Sequence, residues 1–209
     1  MRLLSAVLLT SLLLVTPATA TSVYGTETPL VGSTTLLGFG NWAGNTSLAW
    51  AITPLSGGGG WLYNYTFTEI GSDLSHLVLQ FSDNCAGDPG CISNATNNPD
   101  GPRLYPSFTP PNFEQPVSIY GVKFSFLGGS PYAFSFASNR APVWGNMYAR
   151  DGGNAYAYNA GLTNLGSSST GDFVARPDGA AVPEPASLTL GGLGLGLLGL
   201  GLLKRKVVA

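Results

Sequence analysis

His76 is the only histidine of the 209-residue chain, so any Ser-His-Asp relay would have to run through it. It lies in "LSHLVLQFS", 74–82, on the same side as Val78, and no Gly-x-Ser-x-Gly elbow stands in the sequence. A structural histidine is the expectation. Paired carboxylates offer a second route, because a glycosidase needs two of them facing a cleft. Glu69 and Asp73 are close in sequence, as are Asp83 and Asp88. All four fall in loops or at strand ends, where acids are solvated or bond to nearby backbone N–H groups. No catalytic residue is assigned, and no enzymatic activity is expected.

Binding chemistry has more to work with. Asp83, Asn84, Asp88, Asn98 and Asp100 gather hard oxygen ligands of the kind Ca²⁺ takes. The spacing is not that of an EF-hand, and Asx-turns account for the same residues without an ion. No metal ligand is assigned and no cofactor is expected, Ca²⁺ being the one the residues would admit. For glycans, Tyr148, Tyr156, Tyr158, Asn154 and Asn159 offer rings for stacking and amides for hydrogen bonds. Ordinary strand aromatics and turn asparagines explain them equally well, and the ligand-binding residues stay unassigned. Cys85 and Cys91 flank "AGDPG", a turn that brings them together. In an oxidising compartment they form a disulfide. With no second Cys/His pair and no Cys-x-x-Cys, neither zinc nor redox chemistry is expected.

The elements that must position these residues read as strands. "WLYNYTFTE", 61–69, alternates, with Trp61, Tyr63, Tyr65 and Phe67 on one face. Residues 74–82 follow the same rule, with Leu77, Leu79 and Phe81 on one side and His76, Val78 and Gln80 on the other. "VSIYGVKFSFL", 117–127, turns Tyr120, Val122, Phe124 and Phe126 inward and Lys123 and Ser125 outward. "PYAFSFAS", 131–138, repeats the pattern, and Gly128-Gly129 between the two reads as a hairpin turn. Further strands are expected near 33–39, 46–52, 144–149 and 154–159, with "RDGG", 150–153, as a turn. The glycine run 57–60 is a turn, not a phosphate cradle, since neither Lys-Ser/Thr nor a helix follows. The stretch 85–116 reads as a long surface loop tied at one end by the disulfide. Trp61 and Trp144 are expected in packing roles. Many short strands and no amphipathic helix predict an all-β body, a single jelly-roll-like β-sandwich with a barrel as the alternative.

The two ends differ from this body. "MRLLSAVLLTSLLLVTPATA" has one basic residue, a short apolar stretch and Ala18-Thr19-Ala20, the layout of a signal peptide cut after Ala20. At the other end, 186–203 carry no charge, enough for a helix of about 27 Å. Its glycines are tolerated in lipid. Lys204, Arg205 and Lys206 then form a basic stop that stays on the cytoplasmic side. Pro183 and Pro185 hold Glu184 in an extended, accessible strip. Four of the nine basic residues and one of the eleven acidic ones lie in these ends. The body keeps five basic and ten acidic residues, a net charge of −5, which excludes a nucleic-acid footprint.

Val182-Pro183-Glu184-Pro185, an apolar Gly/Leu stretch and a terminal Lys-Arg-Lys together resemble the PEP-CTERM sorting signal. That resemblance implies a Gram-negative bacterium and an exosortase that recognises Val182–Pro185 and removes the tail. Trp61-x-Tyr63-x-Tyr65-x-Phe67, "LSH", "GVKF" and "PVWGNMYARDG" are similar to a body type recurrent among such proteins, which implies fold and context alone. The expected organisation is a signal peptide over 1–20, a β-sandwich over 21–181 and a sorting signal with a transmembrane helix over 182–209. Its expected partners are signal peptidase and the secretion machinery, exosortase, the membrane transiently, and extracellular polysaccharide. Such a protein passes through an inner-membrane intermediate to the cell surface or the extracellular space. A structural, adhesive or glycan-binding role is expected, with a secreted polysaccharide hydrolase as the alternative.

Overall fold

Alternation of aromatic and small polar residues builds twelve antiparallel strands in a computed structural model, which describes residues 30–44, 46–56, 58–163 and 170–181. In chain order they are β1 (Leu30–Thr35), β2 (Leu37–Phe39), β3 (Ser47–Pro54), β4 (Trp61–Thr68), β5 (Leu74–Gln80) and β6 (Asp100–Tyr105). There follow β7 (Ile119–Ser125), β8 (Tyr132–Ser138), β9 (Arg140–Gly145), β10 (Met147–Asp151), β11 (Tyr156–Tyr158) and β12 (Val174–Ala181). One sheet runs β1-β3-β4-β8, a second runs β2-β11-β10-β5-β7-β6, and β12 pairs with β9 in a third. The two larger sheets share one core, so the body is a β-sandwich.

Period two decides which side chains enter that core. From the four-stranded sheet come Leu48, Trp50, Ile52, Tyr63, Tyr65, Phe67, Phe134 and Phe136. The six-stranded sheet answers with Leu77, Leu79, Val122, Phe124, Met147 and Ala149. Register makes the aromatic pairs direct: Tyr63 faces Phe136 with ring centroids 5.1 Å apart, and Tyr65 faces Phe134 at 4.8 Å. Each such pair adds about 1 kcal/mol beyond the area it buries. The buried phenols still need acceptors. The Tyr63 hydroxyl donates to the Arg140 carbonyl at 2.8 Å and Tyr65 to that of Ala175 at 2.7 Å, tying β9 and β12 to the core.

Several sequence expectations change. Gly128-Gly129 joins no hairpin, because β7 belongs to the six-stranded sheet and β8 to the four-stranded one. The expected strand 144–149 is two strands, β9 and β10, in different sheets and separated at Asn146. The expected strand 33–39 likewise divides into β1 and β2 around Leu36. The supposed loop 85–116 contains β6, an edge strand whose Pro102 and Gly101 hide the pattern. Strand β12, with Pro177 and Gly179, had no alternation to reveal it. Residues 93–97 are not free surface either. Ser93 exchanges backbone hydrogen bonds with Ala137, and the Thr96 N–H donates to the Ser135 carbonyl at 2.9 Å. They cover the open edge of β8, which would otherwise invite pairing with another chain.

The remaining strands stand as read. Trp61 and Trp144 are partly buried and pack against the core. Among the described residues no helix is long and apolar enough to cross a membrane; the apolar run 186–203 lies outside them.

Candidate functional site

Three adjacent strands turn polar side chains to the outer side of the six-stranded sheet. His76 on β5 lies opposite Arg150 of β10 and Ser125 of β7, with Lys123 two residues before Ser125. This side of a sheet would normally meet water. Here the loop between β6 and β7 folds back over it. Gln115 organises that loop from the inside: it is fully buried, and its amide donates to the carbonyls of Tyr105 at 2.8 Å and Val117 at 2.9 Å.

Two anchors then fix the loop to the sheet. Asn112, 2 % exposed, places its Oδ1 at 2.7 Å from His76 Nε2. Arg150 donates from Nη1 to the Pro111 carbonyl at 2.8 Å and to Glu114 at 2.6 Å, and from Nη2 to the Gly153 carbonyl at 2.8 Å. The ring of Phe113 lies 5.7 Å from the Arg150 guanidinium, within cation–π range, yet Phe113 remains 53 % exposed. Loop and sheet enclose a cleft of about 400 Å³. Ser75, His76, Lys123 and Ser125 line one side; Pro111, Phe113, Arg150, Asp151 and Gly152 complete it.

The electrostatics of the cleft are defined by which charges are already engaged. Asp151 Oδ1 accepts the N–H groups of Gly153 at 2.7 Å and Ala155 at 2.9 Å, and its Oδ2 accepts Ser72 Oγ at 3.0 Å. That carboxylate shapes the β10–β11 turn. Lys123 is less engaged: its Nζ is 3.6 Å from Asp100 Oδ2, an oxygen that Arg103 also holds. With Asn112 Oδ1 as the acceptor, His76 Nε2 is the donor and Nδ1 accepts from Ser75 Oγ at 3.4 Å. Burial pushes its pKa down; the Asn112 hydrogen bond opposes this, and Lys123 and Arg150 push it down further. An imidazole flanked by two cations resists taking up a proton, the step a general base must make.

The carboxylate pairs do not meet in this cleft, where Asp151 is the sole acidic lining residue. Glu69 is 6 % exposed instead of solvated, and burial, Asp73 and Asp151 push its pKa up while Ser72 N–H opposes them. Asp88 accepts Gly90 N–H at 2.8 Å and the buried Arg140 at 2.6 Å, which holds its carboxyl below the usual range. Of the residues considered for Ca²⁺, Asp88 thus answers Arg140 and Asp100 answers Arg103 and Lys123. Among the described residues no group of three His, Cys, Asp or Glu side chains is arranged to hold a metal ion. Cys85 and Cys91 form the disulfide, and both are buried in the core.

The aromatic candidates divide. Tyr148 and Asn159 are fully buried; Asn159 serves as a bracket, accepting Met147 N–H at 2.7 Å and donating to Asn146 and to the Asp172 carbonyl. Tyr156 and Tyr158 are half-buried and stack on Phe39 of β2, with centroids 4.6 and 5.4 Å away. Asn154 is exposed in the turn before β11. Sequence reasoning missed Phe113, Lys123, Arg150 and Asn112. The available signal was the polar face of three strands, but nothing in it pointed to a loop lying across them.

Val182, Pro183, Glu184, Pro185, Ala18, Ala20, Lys204, Arg205 and Lys206 lie outside the described residues. A family model for the PEP-CTERM protein-sorting motif matches residues 181–206. No curated protein and no solved structure matches the chain. The motif defines a class: exported proteins sorted by exosortase. This chain carries that motif over residues 181–206, after a β-sandwich body.

Proposed function

We propose that the exported body is a non-enzymatic component of the cell surface or extracellular matrix that contacts glycans through the cleft beneath the β6–β7 loop. The observation that supports this most directly is the pairing of a half-exposed Phe113 ring with polar side chains fixed around a cleft of about 400 Å³. Ligand sites combine apolar surface with a few placed polar groups in this way. A single carboxylate, already holding two backbone N–H groups and the Ser72 hydroxyl, gives no acid and base pair for sugar hydrolysis, so a binding role is favoured over a hydrolase.

On this reading the protein crosses an inner-membrane intermediate, meets signal peptidase and exosortase there, and works at the surface or beyond it, without a cofactor. The test is affinity electrophoresis of protein recovered from surface and supernatant fractions. Native gels containing neutral or acidic polysaccharides should retard it relative to gels without them. Equal mobility in every gel would overturn the glycan-contact reading.

A further inference from the structure

We infer that the cleft is built for a saccharide unit bearing a carboxylate, with Lys123 as the group that meets it. This rests on the glycan-contact reading above and names the ligand class.

The balance of donors and acceptors in the cleft selects the ligand. A neutral sugar's hydroxyls accept hydrogen bonds but also carry protons that need free acceptors in the site. Here the one lining carboxylate, Asp151, already takes two backbone N–H groups and the Ser72 hydroxyl. Glu114 is committed to Arg150 at 2.6 Å. What remains toward the cleft as donors are the Lys123 ammonium and the hydroxyl of Ser125, the Ser75 hydroxyl being turned to His76 Nδ1. Lys123 has three donors, and its nearest carboxylate oxygen, 3.6 Å away, is shared with Arg103. Its ammonium is therefore poorly compensated. Arg150 plays a different part, because carbonyls of Pro111 and Gly153 hold its guanidinium in place. It backs the Phe113 ring from one side and leaves that residue 53 % exposed for the C–H face of a sugar. An anionic acceptor beside a pyranose ring satisfies both features at once. Lys123 and Arg150 are two of only five cations in a body of net charge −5, so the preference is local to this face.

The test uses the secreted protein and its Lys123→Gln, Lys123→Arg and Phe113→Ala variants, each checked for an unchanged thermal midpoint. Mobility is measured in native gels containing polygalacturonate or dextran. The expected result is retardation by polygalacturonate that exceeds that by dextran and weakens in high salt. Lys123→Gln should weaken it about tenfold, the worth of one charge-assisted hydrogen bond. Lys123→Arg should retain most of it, and Phe113→Ala should weaken binding while leaving the salt dependence in place. Retardation by dextran equal to that by polygalacturonate would overturn the carboxylate assignment and leave the glycan-contact reading standing. So would polygalacturonate binding that Lys123→Gln does not change. Retardation by neither polymer overturns both.

Discussion

His76 shows how one side chain can join a loop to a sheet while staying uncharged. Its neighbours are Ser75 on its own strand, Lys123 and Ser125 on β7, Arg150 and Asp151 on β10, and Asn112 in the loop. Burial and the two cations depress its pKa below the ordinary value of 6.5, the Asn112 bond notwithstanding. Unfolded chain then binds more protons than folded protein between the folded pKa and 6.5, so stability falls as pH falls through that window. The full contribution is present above 6.5. Thermal unfolding midpoints should therefore drop on acidification from pH 7.5 to about 5. His76→Gln, which can still donate to Asn112, should flatten this part of the profile; an identical pH dependence in the variant would refute the assignment. The reading of His76 as a packing residue was available from its place on an alternating strand. Its partner was not: Asn112 is 36 residues away in a segment without periodicity.

The strands depend on a few close approaches that no other residue type allows. Gly121 of β7 lies opposite Gln80, and a Cβ there would sit 2.2 Å from the Leu79 carbonyl oxygen. The obstacle is backbone of β5, which cannot move without disturbing the ladder. Gly121→Ala should cost about 3 kcal/mol, read as a lowered urea midpoint. A midpoint unchanged from wild type would mean that β5 and β7 are not packed as described. Strands β4, β5, β7 and β8 were legible because they bury one aromatic face and alternate against it. The others were hidden by their circumstances. β6 lies at an edge, where Arg103 and Leu104 stay exposed and only β7 pairs with it. β9 and β10 form one continuous run in sequence, and the change of sheet at Asn146 leaves no mark on composition. Gly128-Gly129 has the chemistry of a tight turn but spans two sheets; what pairs across a turn depends on contacts far away in sequence.

For the whole molecule, a β-sandwich body precedes a sorting motif in the sequence. The sorting motif begins at 181, the residue at which β12 ends opposite Arg140. Intact mass of protein from surface and supernatant fractions should show a start at Thr21 and loss of the tail near Pro185. An exosortase-deficient strain should retain Lys204–Lys206. Retention of those residues in every strain would make the tail a permanent anchor and remove the basis for a matrix role. The destination was legible because sorting signals are linear, read by other proteins before or apart from folding. The cleft was not, because it exists only once β5, β7, β10 and the loop have met.

The disulfide has a consequence for timing. Cys85 and Cys91 are 2 % and 1 % exposed, and their bridge closes part of the core instead of clipping a loop at the surface. A bridge over so short a span contributes about 2 kcal/mol, and the reducing cytoplasm withholds it. On the proposed export route, the bridge and its share of the stability come only after the chain has left the cytoplasm.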